Sequence, residues 1–211
     1  MTHKKATPKY LKPYQDAVEQ FGATFDATLW RSRESQMLRF KTFCNFVDFG
    51  NMSILDVGCG IGDFSHYLVE SGVLFSRFHG IDAIQEMIES ARNRDMHNCT
   101  FETVDVVTDH ESMQGYDWLT FSGTLNAMEQ GNAIELIEAA FSACTCGVAF
   151  NFLSNQSGRS PSDEDLHPAT RFDTPALLSY AFSLTPLVGF TQTYLAGHDA
   201  TIILRKQELS Q

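Results

Sequence analysis

The sequence predicts an α/β protein: a doubly wound sheet of seven strands, mostly parallel with an antiparallel last strand, preceded by helices. Three observations carry this expectation. From about residue 50 onward, short β-rich runs alternate with helical patterns, as in a parallel sheet with crossover helices. The first run, Ile54-Leu55-Asp56-Val57, breaks into a turn containing Gly58, Gly60 and Gly62. The last two runs are joined by only Gly197-His198-Asp199. A parallel crossover needs a dozen or more residues, so the final strand must turn back as a hairpin.

In chain order, strands are expected at 53–57, 78–82, 100–106, 118–122, 147–153, 187–196 and 200–205, with helices at 62–71, 84–94, 133–144 and 175–182. In the third helix Ile134, Ile137 and Phe141 recur at helical spacing behind a cap at Asn132. The fourth opens on Thr174-Pro175, a cap followed by proline at the first helical position. Residues 1–50 lack strand patterns and read as a helical cap on a core spanning 51–206, the whole forming a single domain. Within the cap, 34–47 spaces Met37, Leu38, Phe40, Phe43 and Phe46 so that they can cover one face of the sheet. The longest irregular stretch, the polar loop 154–173, suits either a lid or plain disorder.

At 211 residues the chain suits one domain that buries about 70% of its unfolded surface. Hydrophobic content of 43% with 19% charged residues is ordinary for a soluble globular protein. No apolar run approaches the ~20 residues that span a bilayer. The start, MTHKKATPKYLKPY, is basic but lacks the apolar stretch of a secretory signal, so a cytoplasmic location is expected. A net charge of −11 repels phosphate backbones, which argues against nucleic acid and anionic membranes as partners. The cysteines (Cys44, Cys59, Cys99, Cys144, Cys146) are odd in number, without a CxxC pair or matching histidines, and read as reduced thiols. No metal site is expected, since structural zinc needs four well-placed ligands.

Glycine-rich turns of this kind usually hold a nucleotide, and the neighbouring charges discriminate among nucleotides. A phosphate-binding Gly-Lys-Ser/Thr loop needs a lysine that does not follow these glycines. The dinucleotide pattern G-x-G-x-x-G calls for glycine at position 63, which is Asp63. Asp56 precedes the turn, Asp63 ends it, and no Arg or Lys lies between them. A pyrophosphate would meet repulsion on the order of 4 kcal/mol per close pair, whereas a ligand carrying an ammonium or sulfonium is attracted. S-adenosylmethionine carries both and no phosphate. Phe78-His79-Gly80-Ile81-Asp82 reads as a strand ending in a carboxylate about 20 residues after the glycines, where doubly wound folds meet ribose hydroxyls. The competing reading of Asp82 is a helix cap ahead of Ile84.

In these motifs the chain resembles class I S-adenosylmethionine-dependent methyltransferases of a bacterial, small-molecule type, over about 53–205. LDVGCGIG (55–62) is similar to their glycine motif, GIDAIQEMIESAR (80–92) to their acidic strand end and helix, FETVDV (101–106) to their third motif, and YDWLTFSGTLN (116–126) to their fourth strand and loop. The terminal ATIILRK is similar to their antiparallel seventh strand. The resemblance implies a Rossmann-like fold with S-adenosylmethionine as cofactor. It also implies backbone approach of Gly58, Cys59 and Gly60 to the methionine part and ribose, with Asp56 beside the ammonium and Asp82 on the ribose. Ala83 and Met87 would lie against the adenine, Asp105 and Val106 at its edge, and Ser122 and Gly123 beneath the sulfonium. Plainer alternatives are helix core for Met87 and a turn cap for Asp105. LWRSRESQMLRF (29–40) is similar to a segment preceding the glycine motif in that subgroup, which implies that Arg33, Gln36 and Arg39 face the cofactor carboxylate or close the site. Arginine suits a carboxylate through its planar fork; the alternative is a solvated helix face.

Methyltransferases acting on base amines in nucleic acids typically carry [DN]PP[YF] after the fourth strand, where this chain has Ser122-Gly123-Thr124-Leu125-Asn126, and no Pro-Cys pair occurs there. A small-molecule methyl acceptor and in-line methyl transfer are therefore expected, in a monomer or homodimer. The cofactor brings the reactive carbon, and the protein supplies position and a dry pocket. A base is needed only for a protonated acceptor. His167 and His198 are candidates, though the plainer reading of each is a surface histidine without a role, and Asn126 either orients an acceptor or caps the next helix. No catalytic residue is assigned. The alternatives are a non-catalytic protein that binds S-adenosylmethionine or S-adenosylhomocysteine, and a nicotinamide-dependent oxidoreductase, which Asp63 and the acidic turn disfavour.

Overall fold

The computed structural model describes residues 7–157 and 168–206. Its strands are β1 (Ser53–Val57), β2 (Arg77–Asp82), β3 (Cys99–Thr103), β4 (Trp118–Phe121), β5 (Gly147–Ser154), β6 (Arg171–Phe172), β7 (Val188–Thr191) and β8 (Asp199–Arg205). Seven of them form one sheet in the order β3-β2-β1-β4-β5-β8-β7, and β6 pairs with β5 off this path. The first five are parallel, and β8 runs antiparallel to both β5 and β7. The fold is thus Rossmann-like, with the antiparallel last strand the sequence predicts.

Several details differ from expectation for local reasons. β3 stops at Thr103 because Asp105 turns the chain, its carbonyl accepting from the backbone N–H groups of Thr108 and Asp109 (3.0 and 3.1 Å). β7 stops at Thr191, since Leu195, Ala196 and Gly197 take left-handed backbone (φ 49°, 53° and 73°) that no strand accommodates. The hairpin connection is correspondingly longer than three residues. β6 arises inside the stretch expected to be irregular, of which 158–167 lie outside the described residues.

The helices are α1 (Lys12–Phe21), α2 (Arg33–Phe46), α3 (Asp63–Glu70), α4 (Gln85–Arg92), α5 (Gln130–Ala143) and α6 (Thr174–Leu184). Ser32 caps α2 by accepting from Ser35 N at 3.2 Å. Asn132 is not a cap: α5 begins at Gln130 behind Glu129. Nor is Thr174: Asp173 caps α6, its carboxylate three residues ahead of Ala176 N and 3.1 Å from it.

Both sheet faces are covered, which explains why β5 is buried at every position. Leu55, Val57, Val148, Phe150 and Phe152 pack against α5 and α6. Ile54, Phe78 and Ala149 pack on the other face with α2, α3 and α4. Phe64 of α3 is the centre of that second layer, with ring centroids 5.0 Å from Phe40, 5.9 Å from Phe43, 5.8 Å from Phe49 and 6.2 Å from Phe78. This cluster clamps α2 onto the sheet beside the glycine turn. A third, smaller cluster joins Ala17 and Val18 of α1 to Ile61, Ile84 and Met87, so α1 lies across that turn. Among the described residues no helix is long and apolar enough to cross a membrane.

Phe64→Ala should lower the unfolding free energy by about 3–5 kcal/mol, the usual cost of emptying a fully buried aromatic site. Urea denaturation that gave a loss below about 1 kcal/mol would show that the cluster collapses without it and does not clamp α2.

Candidate active site

A cavity of about 290 Å³ opens at the C-terminal ends of β1 to β5, where doubly wound sheets hold ligands. Gln36 and Arg39 line it from α2, Asp56 from β1, and Gly58, Cys59 and Gly60 from the turn. Asp82, Ala83 and Met87 line it beyond β2, Asp105 and Val106 beyond β3, and Ser122 and Gly123 beyond β4. Arg33 does not reach the cavity; its guanidinium stacks over Phe25 at 4.3 Å.

The glycine turn is held by the strands it joins. Gly58 N and Cys59 N donate to Ile81 O (2.8 and 3.0 Å), and Thr124 Oγ1 donates to Val57 O at 2.6 Å. A Cβ on Gly58 would stand 2.5 Å from Thr124 Oγ1, with φ at +70°, so only glycine fits. Asp82 accepts from Gly60 N with one oxygen and from Ile84 N with the other, both at 2.9 Å. It therefore does cap the chain before α4 while tying the turn to β2. Each carboxylate oxygen has a second lone pair, so Asp82 retains acceptor capacity toward the cavity. Asp105 likewise turns the chain, accepting from Val107 N at 3.2 Å, and both its oxygens also accept from Tyr10 OH (2.9 and 2.8 Å). Met87 belongs both to the α1 cluster and to the cavity wall.

Negative charge concentrates on this side. Asp56 is buried and accepts from Thr120 Oγ1 at 2.7 Å. Burial pushes its carboxyl up to about 7; the Thr120 bond opposes this, while Asp82 and Asp63 push it further. Burial also raises Asp82, against the N–H groups of Ile84 and Gly60 that favour its charge. Asp63 is paired, with Arg94 Nη2 at 2.6 Å and Gln36 Nε2 at 3.0 Å. Burial, reinforced by Asp82 and Asp56, holds the Cys59 thiol well above its ordinary value, so it is an unreactive wall residue.

The other side is different. Trp30 lies against Gly123, where a Cβ would stand 2.5 Å from the indole. Arg39 stacks over Trp30 at 4.4 Å and binds Asp199 through a two-pronged ion pair (Nε–Oδ1 2.8 Å, Nη2–Oδ2 2.7 Å), with Nη1 donating to Ser35 O at 2.7 Å. The cation expected to be available to a ligand is thus already matched by a carboxylate. Asn151, wholly buried, fixes the loop after β4, its Oδ1 accepting from Gly123 N at 2.9 Å and its Nδ2 donating to Ser122 Oγ at 3.1 Å. Asn126 is not the cap of α5; its Oδ1 accepts from Leu153 N at 3.0 Å and joins that loop to β5. His198 lies on the wall, its Nδ1 2.9 Å from Arg171 Nη2. His167 lies outside the described residues. The sequence reading missed Tyr10, Tyr14, Trp30, Arg171 and Asp199. Asn151 carried a legible signal, a lone amide inside the apolar run AFNFL.

The family model described as a methyltransferase domain matches residues 48–156. Among solved structures, the plantazolicin methyltransferase bound to a triazolic desmethylplantazolicin analogue and S-adenosylhomocysteine is 14% identical, covering 95% of each chain with a TM-score of 0.71. Magnesium protoporphyrin IX methyltransferase from Synechocystis PCC 6803, with bound S-adenosylmethionine, is 14% identical, covering 97% of this chain and 100% of that one with a TM-score of 0.67. An S-adenosylmethionine-dependent methyltransferase from Archaeoglobus fulgidus is 16% identical, covering 83% and 95% with a TM-score of 0.66. At these identities the likeness is one of fold. No curated protein matches the chain.

Asp199→Asn should cost about 3–5 kcal/mol in urea unfolding, because it leaves the buried Arg39 guanidinium without a counter-charge. Replacing both partners, Arg39→Met with Asp199→Leu, should cost less than the single change. A double variant as unstable as Asp199→Asn would show that packing, not the stranded charge, sets the loss.

Proposed function

The chain belongs to the methyltransferase-domain family, and from that premise we propose that it methylates a small molecule with S-adenosylmethionine as donor. The observation that carries the reading is the desolvated acidic pocket around the glycine turn, where burial, Asp82 and Asp63 together raise the cost of ionising Asp56 and no cation among the described residues pairs with it. That environment fits a ligand bearing an ammonium and a sulfonium and disfavours a pyrophosphate. When bound, the cofactor supplies a methyl carbon already activated on sulfur.

The chain's own residues would then bind, orient and exclude water. The open lone pairs of Asp82 would accept from ribose hydroxyls, and the Gly58–Gly60 backbone would run beside the ribose and methionine part. Ala83 and Met87 would flank the adenine. Asp105 would take the adenine amino group, exchanging the Tyr10 hydroxyl for it, beside Val106 N–H. Gln36, Arg39 and Asp56 would face the methionine end, with Ser122 and Gly123 under the sulfonium. Tyr14 of α1 and Trp30 line the cavity and would limit water around the bound cofactor. A small acceptor is supported by the net charge of −11 and by the SGTLN loop. The free thiols suit a cytoplasmic location.

Calorimetry tests the donor directly. S-adenosylhomocysteine should bind, NAD should not, and Asp82→Ala should weaken the former by about 1.5–3 kcal/mol, the range for a hydrogen bond to a charged group. A clear NAD signal with none from S-adenosylhomocysteine would overturn the assignment.

A pH dependence follows from Asp56. Burial pushes its carboxyl up to about 7, above the ordinary value, so the fold loses stability as pH rises from about 4 to about 7, and a bound cation offsets that cost. Affinity for S-adenosylhomocysteine should therefore rise from about pH 6 to about pH 8 and then level off. Asp56→Asn should flatten the profile; an unchanged slope in that variant would assign the titration to another group.

A further inference from the structure

We propose that the cavity wall beyond Gly123 binds an anionic group of the methyl acceptor, so that the acceptor is a small organic acid held by Arg171 and Arg31. This rests on the donor occupying the acidic side of the same cavity. The charges lining the cavity divide at the boundary between β1 and β4. Asp56, Asp63, Asp82 and Asp105 lie on the β1-β2-β3 side. The opposite side carries Arg39 and Arg171, with Arg31 at the rim and His198 neutral because its Nδ1 accepts from Arg171, in a chain whose net charge is −11. The nearest acid there, Asp199, is committed to Arg39 through both oxygens.

Arg171 is the stronger of the two cations. Its Nη1 donates to Ser154 O at 2.7 Å and its Nη2 meets His198 Nδ1 at 2.9 Å, which fixes the plane of the guanidinium. Its Nε is buried without a hydrogen-bond partner. That Nε is shielded from the cavity, so a ligand would meet the outer guanidinium nitrogens; no carboxylate among the described residues forms an ion pair with this arginine, and Asp199 acts on it only at longer range, opposing the effect of burial. Arg31 is exposed at the rim and makes no hydrogen bond or ion pair among the described residues. The planar fork of arginine suits a carboxylate. Trp30, Met128 and Leu153 supply an apolar wall for the body of such an acid.

The test uses the full-length protein saturated with S-adenosylhomocysteine and titrated with benzoate or its neutral isostere benzamide, read by calorimetry and by tryptophan emission. Of the two tryptophans only Trp30 lines the cavity; Trp118 is buried behind it. Benzoate should bind about tenfold or more tightly than benzamide and perturb Trp30. Arg171→Gln should abolish that preference and Arg171→Lys retain part of it. Arg31→Gln, at an exposed position that does not threaten folding, should weaken benzoate severalfold. Affinity for S-adenosylhomocysteine should change by less than about twofold in every variant. Equal binding of acid and amide, no binding of either, or an undiminished preference in both glutamine variants would overturn the proposal. So would a loss of S-adenosylhomocysteine affinity as large as the loss for benzoate, because the arginines would then serve the donor's own carboxylate. Failure of S-adenosylhomocysteine to bind the unaltered protein would instead overturn the donor assignment.

Discussion

A guanidinium and a carboxylate 160 residues apart in sequence hold the cavity together. Arg39 lies on α2, before the sheet begins, and Asp199 is the first residue of the last strand. A buried ion pair is weak evidence for stability, since desolvation consumes most of the attraction, but it tolerates few geometries. Here it fixes where α2 crosses the sheet, and neighbouring contacts follow from that crossing. Trp30 is trapped between Arg39 and Gly123, and the residue before Asp199 meets Arg171. Without the pair the N-terminal helices would still have an apolar face to bury, but no fixed position over the loop after β4.

α2 also explains how one segment serves both packing and the site. Phe40 and Phe43 face the aromatic cluster around Phe64, while Gln36 and Arg39, each four residues before one of them, line the cavity. Gln36 reaches the acid at the start of α3, and Arg39 reaches the start of β8. The helix thus spans the cavity from its acidic side to its basic one, with the hydrophobic anchor setting the height of both contacts.

The parts of the fold legible in the sequence were those with local causes. Alternating runs located the strands, the short return from β7 to β8 gave the antiparallel end, and the spacing from the glycines to Asp82 placed a carboxylate at the tip of β2. Boundaries failed where a competing local interaction won: the Asp105 turn shortened β3, left-handed backbone at 195–197 shortened β7, and Asp173 outcompeted Thr174 as a cap. Long-range pairings were not legible. Nothing near Arg39 in sequence announces Asp199, and nothing near Asp105 announces Tyr10. Arg39 and Asp105 both looked available to a ligand because their protein partners come from segments distant in the chain.

That distance matters for what the cavity can do. On the side of the glycine turn, no cation among the described residues pairs with buried Asp56; on the other, half-buried Arg171 forms no ion pair with a carboxylate among the described residues. The two halves of the cavity lining thus differ in the sign of their charge, and Gly123 lies beside the indole of Trp30 between them. Charges so placed do more than attract. On the proposed reading, a cationic donor and an anionic acceptor would each be favoured in one half only, so both would enter with a single orientation and their reacting ends would meet near Gly123. Burial of the groups lining the cavity lowers the local dielectric, which would strengthen that discrimination. Fixing two reactants end to end is itself a large part of what an enzyme contributes to a bimolecular displacement.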